Sequence, residues 1–343
     1  MMSIIVGIES TAHTFGIGIV KDGKILANVK DTYTTEIGGI IPVNAAKHHA
    51  EISEKIYCEA LDIAKISEDK IDAIAFSQGP GLSPCLIEGM KFAKKLSKKL
   101  NKPIVPVNHC IAHLEIGKLT KAKDPVMLYV SGANTQIIAY SSGKYRIFGE
   151  TLDLGVGNFI DTFAREIGIG FPGGPKIQEL AKFGKDYIEL PYVVKGMDIS
   201  LSGILTNLKQ KFNSKNYSKE DLCYSMQETV FAMLVETAER ALAHTGKKEL
   251  LLGGGVACNL RLQEMCKKMC ENRNVKFFVP ENSLLTDNGA MIAYLGEIMY
   301  NKNGFLFEKR NYKGRKTLFE EKDFGKIDIK PKQRTDEVDI LWK

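Results

Sequence analysis

The sequence predicts an α/β protein made of two similar lobes with a ligand cleft between them. The main observation is a repeated order of strands, turns and helices. Residues 4–29 and residues 126–148 each predict a meander of three strands with a turn of small polar residues between the first two. Helix-like stretches follow each meander. A duplicated unit of this kind indicates two lobes related by a pseudo-twofold axis.

Two further pairs of elements support the duplication. Strand 71–76 ends at Gly79-Pro80-Gly81 before a helix, and strand 249–252 ends at Gly253-Gly254-Gly255 before another helix. Strands 103–107 and 275–279 also each precede a helix. We therefore predict a first lobe over residues 1–125, a second over 126–303, and a basic tail or linker over 304–343. The last helix of the second lobe is expected to be able to pack back on the first lobe.

Bulk composition narrows the class of protein. The 343 residues are 44% hydrophobic and 26% charged, which suits a globular protein of two domains. No stretch approaches the roughly 18 apolar residues of a membrane span. Seven cysteines in apolar or helical contexts favour a reduced, cytoplasmic protein. The net charge of +6 mildly favours anionic partners such as nucleic acid.

His109 and His113 are predicted to bind one metal ion. A separation of four residues on a helix puts both imidazoles on one face, with Cβ atoms about 5–6 Å apart. Asn108 is a good N-cap, so the helix is expected to begin there. Asp287, at the matching strand-to-helix junction of the second lobe, would complete a set of nitrogen and oxygen ligands that suits iron or zinc. Tyr129 could add a fourth oxygen, although its position in a strand alone favours a core aromatic.

Several small-residue loops are candidates for holding a nucleotide. Gly253-Gly254-Gly255 joins a buried strand to a helix, and Asn259 follows it. The turns Glu9-Ser10-Thr11 and Ser131-Gly132-Ala133 stand at matching positions of the two halves, where backbone N–H groups can hold phosphate. No P-loop lysine motif is present, and no predicted strand ends in a G-x-G-x-x-G dinucleotide motif.

Together these segments resemble the universal tRNA threonylcarbamoyladenosine transferase family, formerly labelled O-sialoglycoprotein endopeptidase. The similarity is greatest to its archaeal and eukaryotic branch, the catalytic subunit of the KEOPS complex. The matches occur in order along residues 3 to about 300. They are Ile8-Glu9-Ser10-Thr11-Ala12-His13-Thr14-Phe15-Gly16, Gln78-Gly79-Pro80-Gly81-Leu82, Asn108-His109-Cys110-Ile111-Ala112-His113, Tyr129-Val130-Ser131-Gly132-Ala133-Asn134-Thr135, Phe171-Pro172-Gly173-Gly174-Pro175, Ser200-Leu201-Ser202-Gly203 and Gly254-Gly255-Val256-Ala257-Cys258-Asn259.

The resemblance implies the fold shared by actin-like ATPases, sugar kinases and heat-shock chaperone ATPases. It implies transfer of threonylcarbamoyl from threonylcarbamoyl-AMP to N6 of the adenosine 3′ to the anticodon, in tRNAs that read ANN codons. One metal ion, iron or zinc, and an adenine nucleotide, the adenylate or ATP, would bind. The implied metal ligands are His109, His113, Asp287 and Tyr129. The implied adenylate contacts are Tyr129, Val130, Ser131, Gly132, Ala133, Asp161, Gly174, Gln178 and Asn259.

The resemblance also implies partners, namely tRNA, a small atypical kinase and the other small KEOPS subunits. No side chain stands out as a catalytic base. Two alternatives stay open: a nucleic-acid-binding ATPase of the same fold, and a metalloprotease. The protease is disfavoured because Cys110 stands where the H-E-x-x-H motif requires glutamate.

Overall fold

The structure, a computed structural model, describes residues 3–35, 39–302 and 325–342. The chain divides into two compact units. Unit 1 comprises Met1–Tyr33, Ile40–Ile116 and Asp287–Lys343, and unit 2 comprises Thr34–Gly39 and Gly117–Thr286. Within the described residues, no helix is both long enough and apolar enough to cross a membrane.

Twelve strands are assigned among the described residues. They are β1 (Ile4–Glu9), β2 (Thr14–Lys21), β3 (Lys24–Thr32), β4 (Ala73–Gly79), β5 (Ile104–Asn108), β6 (Val126–Val130), β7 (Thr135–Ser141), β8 (Lys144–Glu150), β9 (Val194–Lys195), β10 (Asp198–Ile199), β11 (Glu249–Gly253) and β12 (Lys276–Phe278). The α-helices of the same residues are α1 (Pro42–Ala64), α2 (Ser83–Leu100), α3 (His109–Ile116), α4 (Val156–Glu166), α5 (Gly174–Ala181), α6 (Ser202–Asn213), α7 (Lys219–Thr245), α8 (Leu260–Asn272), α9 (Asn282–Leu285) and α10 (Gly289–Asn301).

The predicted duplication is confirmed by the topology of the two large sheets. Unit 1 has the strand order β3-β2-β1-β4-β5, and unit 2 has the corresponding order β8-β7-β6-β11-β12. In each sheet the first three strands pair antiparallel and the last two join them in parallel. The strands at the centre of each sheet are buried and strongly apolar, as expected for parallel strands covered on both faces.

Helix α10 belongs to unit 1 and packs directly on β1 and β2. Glycines make this close approach possible, because a Cβ on Gly18 would lie 2.2 Å from the backbone nitrogen of Ala290. A Cβ on Gly7 would likewise lie 2.1 Å from the nitrogen of Ala293. The packing brings Asp287, which precedes α10, into the same unit as α3.

The described part of the C-terminal segment, residues 325–342, also packs in unit 1. Its backbone lies along the end of β4, where the Lys330 N–H donates to the Gln78 carbonyl at 2.7 Å. Ile327 is buried in the same apolar cluster as Ile74 and Phe76. These 18 residues of the predicted basic tail or linker therefore contribute to the core of unit 1, whereas residues 303–324 lie outside the described residues.

Unit 2 carries the segment between β8 and β11. It folds into α4–α7 and the small β9–β10 hairpin. Helix α7 is 27 residues long and supplies many of the buried residues of the unit 2 core. Helix α4 packs close to the turn after β6, and this contact shapes the loops described below.

Candidate metal centre and nucleotide loops

The candidate metal centre is built around α3, which follows β5 without an intervening loop. The Asn108 side-chain Oδ1 accepts a hydrogen bond from the Ile111 N–H at 3.1 Å. This bond satisfies a backbone donor that has no partner within the first helical turn, and so stabilises the start of α3. His109 and His113 then lie one turn apart on the same helix, and both are buried.

The two histidines converge on the carboxylate of Asp287. Nε2 of His109 and Nε2 of His113 each lie 3.4 Å from Asp287 Oδ1. The two rings are nearly perpendicular, with centroids 4.8 Å apart. Among the described residues, this trio is the one group of histidine, cysteine and acidic side chains able to hold a metal ion, with all ligand atoms within 4.8 Å of one another.

These distances fit a first-row metal. Zinc bonds of about 2.0–2.2 Å to nitrogen and oxygen, at tetrahedral angles, place neighbouring ligand atoms roughly 3.3–3.6 Å apart. Both imidazole–carboxylate separations of 3.4 Å fall in that range. Two nitrogens and one oxygen leave further positions open for substrate, a set that permits iron as well as zinc.

Glu9 forms a second layer behind His109. Its Oε2 lies 3.0 Å from His109 Nδ1, and the Glu9 side chain is fully buried. Its other oxygen, Oε1, accepts from the Thr11 N–H at 2.7 Å and from the Thr11 hydroxyl at 2.5 Å. A carboxylate that accepts the Nδ1 proton leaves Nε2 as the ligand atom and holds the ring in place. Glu9 was predicted as part of a nucleotide loop, and this contact with His109 was not anticipated.

The charges of the cluster perturb its protonation. Burial lowers the pKa of His109, but the nearby negative charges of Glu9 and Asp287 outweigh burial and raise that pKa well above 6.5. The pKa of His113 is lowered by burial, with a further contribution from His109. Burial raises the pKa of Asp287, yet the charge of His109 and hydrogen bonds from both histidines hold it well below 3.8.

Asp287 lies between α9 and α10, and its own backbone is anchored. Its carbonyl accepts from the Lys30 ammonium at 3.2 Å, which ties it to β3. The next residue, Asn288, caps α10 by accepting from the Met291 N–H at 3.0 Å. The carboxylate is therefore positioned by two elements of the same unit.

The other predicted phosphate residues of unit 1 are buried next to Glu9. Ser10 is fully buried, and its N–H donates to the Ser77 hydroxyl at 3.0 Å. The Thr11 carbonyl accepts from the Leu82 N–H at 2.7 Å. The turn therefore contacts the start of α2. A contact with phosphate stays a prediction.

In unit 2 the structure brings two predicted loops together. Gly254 has a φ of +87°, and a Cβ there would lie 2.4 Å from the Val130 carbonyl. The turn Ser131–Ala133 lies beside it, closed by a bond from the Ser131 N–H to the Asn134 carbonyl at 2.8 Å. Gly253 pairs with Tyr129 in adjacent strands. Gly255 begins a short 3-10 helix.

The remaining predicted adenylate contacts of unit 2 form a connected row. Asp161 Oδ1 accepts from the Gly173 N–H at 2.8 Å, just before Gly174 begins α5. Gln178 on α5 accepts from the Leu260 N–H at 2.9 Å. Asn259 caps α8 through its oxygen and donates to Gln227 at 2.8 Å through its amide nitrogen. The side-chain oxygen of Gln178 and both polar atoms of the Asn259 side chain are thus already engaged within the protein.

Tyr129 is a fully buried residue of β6 in unit 2. Its assignment as a fourth metal ligand stays a prediction, as do the assignments of the adenylate contacts to a ligand.

The two repeated sheets define a protein of the duplicated α/β fold class that the sequence predicted. The described chain superposes on the crystal structure of HypF from Thermococcus kodakarensis with a TM-score of 0.63 at 16% identity, covering 88% of this chain and 48% of that one. The predicted fold class is confirmed by this similarity and by the repeated sheets.

The family follows from sequence comparison. The family model for TsaD, tRNA N6-adenosine threonylcarbamoyltransferase, matches residues 24–294. The tRNA N6-adenosine threonylcarbamoyltransferase of Thermococcus kodakarensis is 57% identical over 99% of both chains. A probable bifunctional tRNA threonylcarbamoyladenosine biosynthesis protein of Methanosarcina acetivorans is 50% identical over 99% of this chain and 60% of its own length. The chain therefore belongs to the tRNA N6-adenosine threonylcarbamoyltransferase family, as its motifs predicted.

Proposed function

We propose that this protein transfers threonylcarbamoyl from threonylcarbamoyl-AMP to N6 of the adenosine 3′ to the anticodon, in tRNAs that read ANN codons. The observation that carries the proposal is the convergence of His109, His113 and Asp287 in a chain that belongs to this family along its length. The product is N6-threonylcarbamoyladenosine, t6A.

The reaction is an acyl transfer from an activated donor. A bond forms between N6 and the carbamoyl carbon, the bond from that carbon to the phosphate oxygen breaks, and AMP leaves with the electron pair. N6 loses one proton, which the leaving phosphate can accept, since no side-chain base is identified at the site. The protein's task is therefore to hold donor and acceptor in place and to stabilise developing charge.

The residues of α3 are suited to hold a catalytic metal. A bound iron or zinc ion would supply Lewis acidity toward an oxygen of the donor. Glu9 keeps the Nδ1 proton of His109 and so fixes the tautomer in which Nε2 is available. Asp287 brings a carboxylate to both imidazoles. These three side chains, with His113, form the centre on which the proposal depends.

We assign the adenylate to the loops of unit 2. The candidate contacts are Tyr129, Val130, Ser131, Gly132, Ala133, Asp161, Gly174, Gln178 and Asn259. The support is local geometry: the Ser131–Ala133 turn packs against Gly254, and the row from Asp161 to Asn259 is linked by hydrogen bonds. ATP is the other adenine nucleotide that these loops suit.

The acceptor, tRNA, needs a positive surface. The lysines of α2 are an obvious candidate, but several are paired: Lys91 with Glu88 at 2.7 Å and Lys99 with Glu68 at 2.7 Å. Such exposed pairs are weak and can exchange for phosphate. We propose that partners supply further tRNA surface, namely the small atypical kinase and the other small KEOPS subunits that the resemblance implies.

Mass analysis of tRNA nucleosides tests the activity. The full chain is mixed with tRNA, threonine, bicarbonate, ATP, an adenylate-forming enzyme and the partner subunits. The wild type should form t6A, and His109→Ala should abolish it while the circular dichroism spectrum stays unchanged. His244→Ala is the matched control, because that exposed histidine lies on α7 of unit 2. Full activity of folded, metal-free His109→Ala protein would refute the metal-assisted mechanism.

The same preparation separates the alternatives. ATP hydrolysis and tRNA binding without t6A would favour a nucleic-acid-binding ATPase of the same fold. Cleavage of a protein substrate that depends on His109 would favour the metalloprotease, although Cys110 occupies the position of its catalytic glutamate.

A further inference from the structure

The C-terminal segment, residues 325–342, contacts two elements that hold the side chains of the candidate metal centre. One contact reaches the N-cap of α3, which carries both histidines. The other reaches the loop after β4, which in turn holds the Glu9–Thr11 turn. Neither contact is explained by the acyl-transfer chemistry.

The first route passes through the amide of Asn108. Its Oδ1 caps α3 by accepting from the Ile111 N–H at 3.1 Å, and its Nδ2 donates to Gln333 Oε1 at 3.2 Å. The Asn108 side chain is only 6% exposed. An amide has one acceptor end and one donor end, so the contact of Gln333 Oε1 with Asn108 Nδ2 favours the orientation in which Asn108 Oδ1 caps the helix. His109 is the next residue along the chain.

The second route passes through backbone hydrogen bonds. The Gly81 N–H donates to the Pro331 carbonyl at 3.1 Å, and the adjacent Leu82 N–H donates to the Thr11 carbonyl at 2.7 Å. Thr11 in turn donates twice to Glu9, whose other oxygen lies 3.0 Å from His109 Nδ1. A continuous series of polar contacts therefore connects the C-terminal segment, through Gly81-Leu82, Thr11 and Glu9, to His109.

Buried side chains anchor the segment. Ile327, Thr335 and Ile340 are 4%, 2% and 8% exposed. Trp342, the sole tryptophan of the sequence, donates its indole N–H to Glu115 Oε1 at 3.2 Å. Glu115 lies on α3, so the segment is bonded near both ends of the helix that carries the histidines.

We propose that the C-terminal segment is a positioning element of the metal centre, in which Gln333 orients the Asn108 cap and so holds His109 and His113 for binding a metal ion. The inference rests on the proposed metal centre. Gln333 is a positioning residue, since it acts through Asn108.

Metal affinity of the full chain tests the inference. Zn²⁺ affinity is measured at pH 7 by competition with a chromophoric chelator, for the wild type, Gln333→Leu, Gln333→Glu and Lys332→Ala. Leucine fills the space without an acceptor, and we expect about a fivefold loss of affinity, which corresponds to the roughly 1 kcal/mol of a helix cap. Glutamate retains an acceptor for Asn108 Nδ2 and should restore the affinity. Lys332 is exposed and should be silent.

Trp342 fluorescence gives a second readout of the same samples. An unchanged emission spectrum in Gln333→Leu, together with the affinity loss, supports a local action through Asn108. Wild-type Zn²⁺ affinity in Gln333→Leu would overturn the role of Gln333 without affecting the proposed metal centre. An equal loss of affinity in Lys332→Ala would also overturn the role of Gln333. Zn²⁺ binding by the wild type no tighter than by His109→Ala would instead overturn the metal centre, and this inference with it.

Discussion

Replacing Glu9 by glutamine should weaken metal binding without unfolding the protein. Glu9 accepts at both oxygens: from Thr11 at Oε1 and, across 3.0 Å, from Nδ1 of His109 at Oε2. Glutamine has nearly the same shape but only one accepting end. If the glutamine oxygen faces Thr11, the glutamine NH₂ faces Nδ1 of His109 and favours the tautomer that carries its proton on Nε2. The protonated Nε2 cannot bind a metal. If its oxygen faces Nδ1, two donors face each other at Thr11.

The expected loss is about 10- to 100-fold in metal affinity. This is the usual effect of removing a carboxylate that orients a histidine ligand, and it corresponds to roughly 1.4–2.8 kcal/mol. Two features place Glu9→Gln toward the upper part of that range. Glu9 is fully buried, so water cannot replace the lost acceptor. The substitution Glu9→Gln also removes a negative charge beside the bound cation.

Chelator competition with Zn²⁺ measures the effect, with Glu297→Gln as the matched control. Glu297 is another buried carboxylate of unit 1 that accepts two backbone N–H groups, from Asp22 and Gly23, but it does not contact the histidines. Glu297→Gln should leave metal affinity at the wild-type value even where it lowers stability. Folded Glu9→Gln protein with metal affinity within twofold of the wild type would refute this account of the site.

Three further predictions concern stability and packing. Burial lowers the pKa of His49 from 6.5 to about 4, so the unfolded chain binds a proton at this residue more readily than the folded protein does. The free energy of unfolding should therefore fall by about 2 kcal/mol from pH 7 to pH 5 through this group. Urea titrations of His49→Gln should show a smaller fall. A Cβ on Gly89 would lie 1.9 Å from the buried Ser10 hydroxyl. Gly89→Ala should therefore lower the free energy of unfolding by about 1–3 kcal/mol. In a double-mutant cycle, adding Ser10→Gly should restore most of that loss. A Cβ on Gly79 would lie 1.9 Å from a carbonyl of the C-terminal segment, so Gly79→Ala should displace that segment and shift Trp342 emission to longer wavelength. An unaltered spectrum would contradict the packing.

The duplicated fold was predictable because its signals are local. Short apolar strands, small-residue turns and glycine junctions repeat in the same order in residues 4–116 and 126–279. Each such signal depends only on neighbours in sequence. The observed strand orders, β3-β2-β1-β4-β5 and β8-β7-β6-β11-β12, follow that repeat. The spacing of His109 and His113 was equally local, being one turn of α3.

The contacts that complete the centre were not predictable in this way. Glu9 and His109 are brought together by the parallel arrangement of β1, β4 and β5, although they are 100 residues apart. The signal that could have suggested Glu9 is a carboxylate at the end of a wholly apolar strand, since such a group needs a buried partner. Gln333 gave no comparable signal, because the segment before it meets the end of β4 and the following loop mainly through its backbone atoms, which leave no pattern in its side chains.

The protonation of His109 links the metal-free site to the metal-bound one. In the metal-free protein, burial lowers the pKa of His109, but the charges of Glu9 and Asp287 outweigh burial and raise that pKa well above 6.5, which favours a proton on Nε2, where the metal would bind. A metal ion that takes this nitrogen must displace that proton, because a protonated imidazole has no lone pair to donate. Affinity should therefore weaken as pH falls, by up to about tenfold per pH unit while one proton is released.

Calorimetric titration with Zn²⁺ at pH 7, in two buffers of different ionisation enthalpy, counts that proton. A value near one is expected for the wild type. A value near zero would mean that His109 is already neutral, and that Glu9 orients the ring without raising its basicity enough to hold a proton.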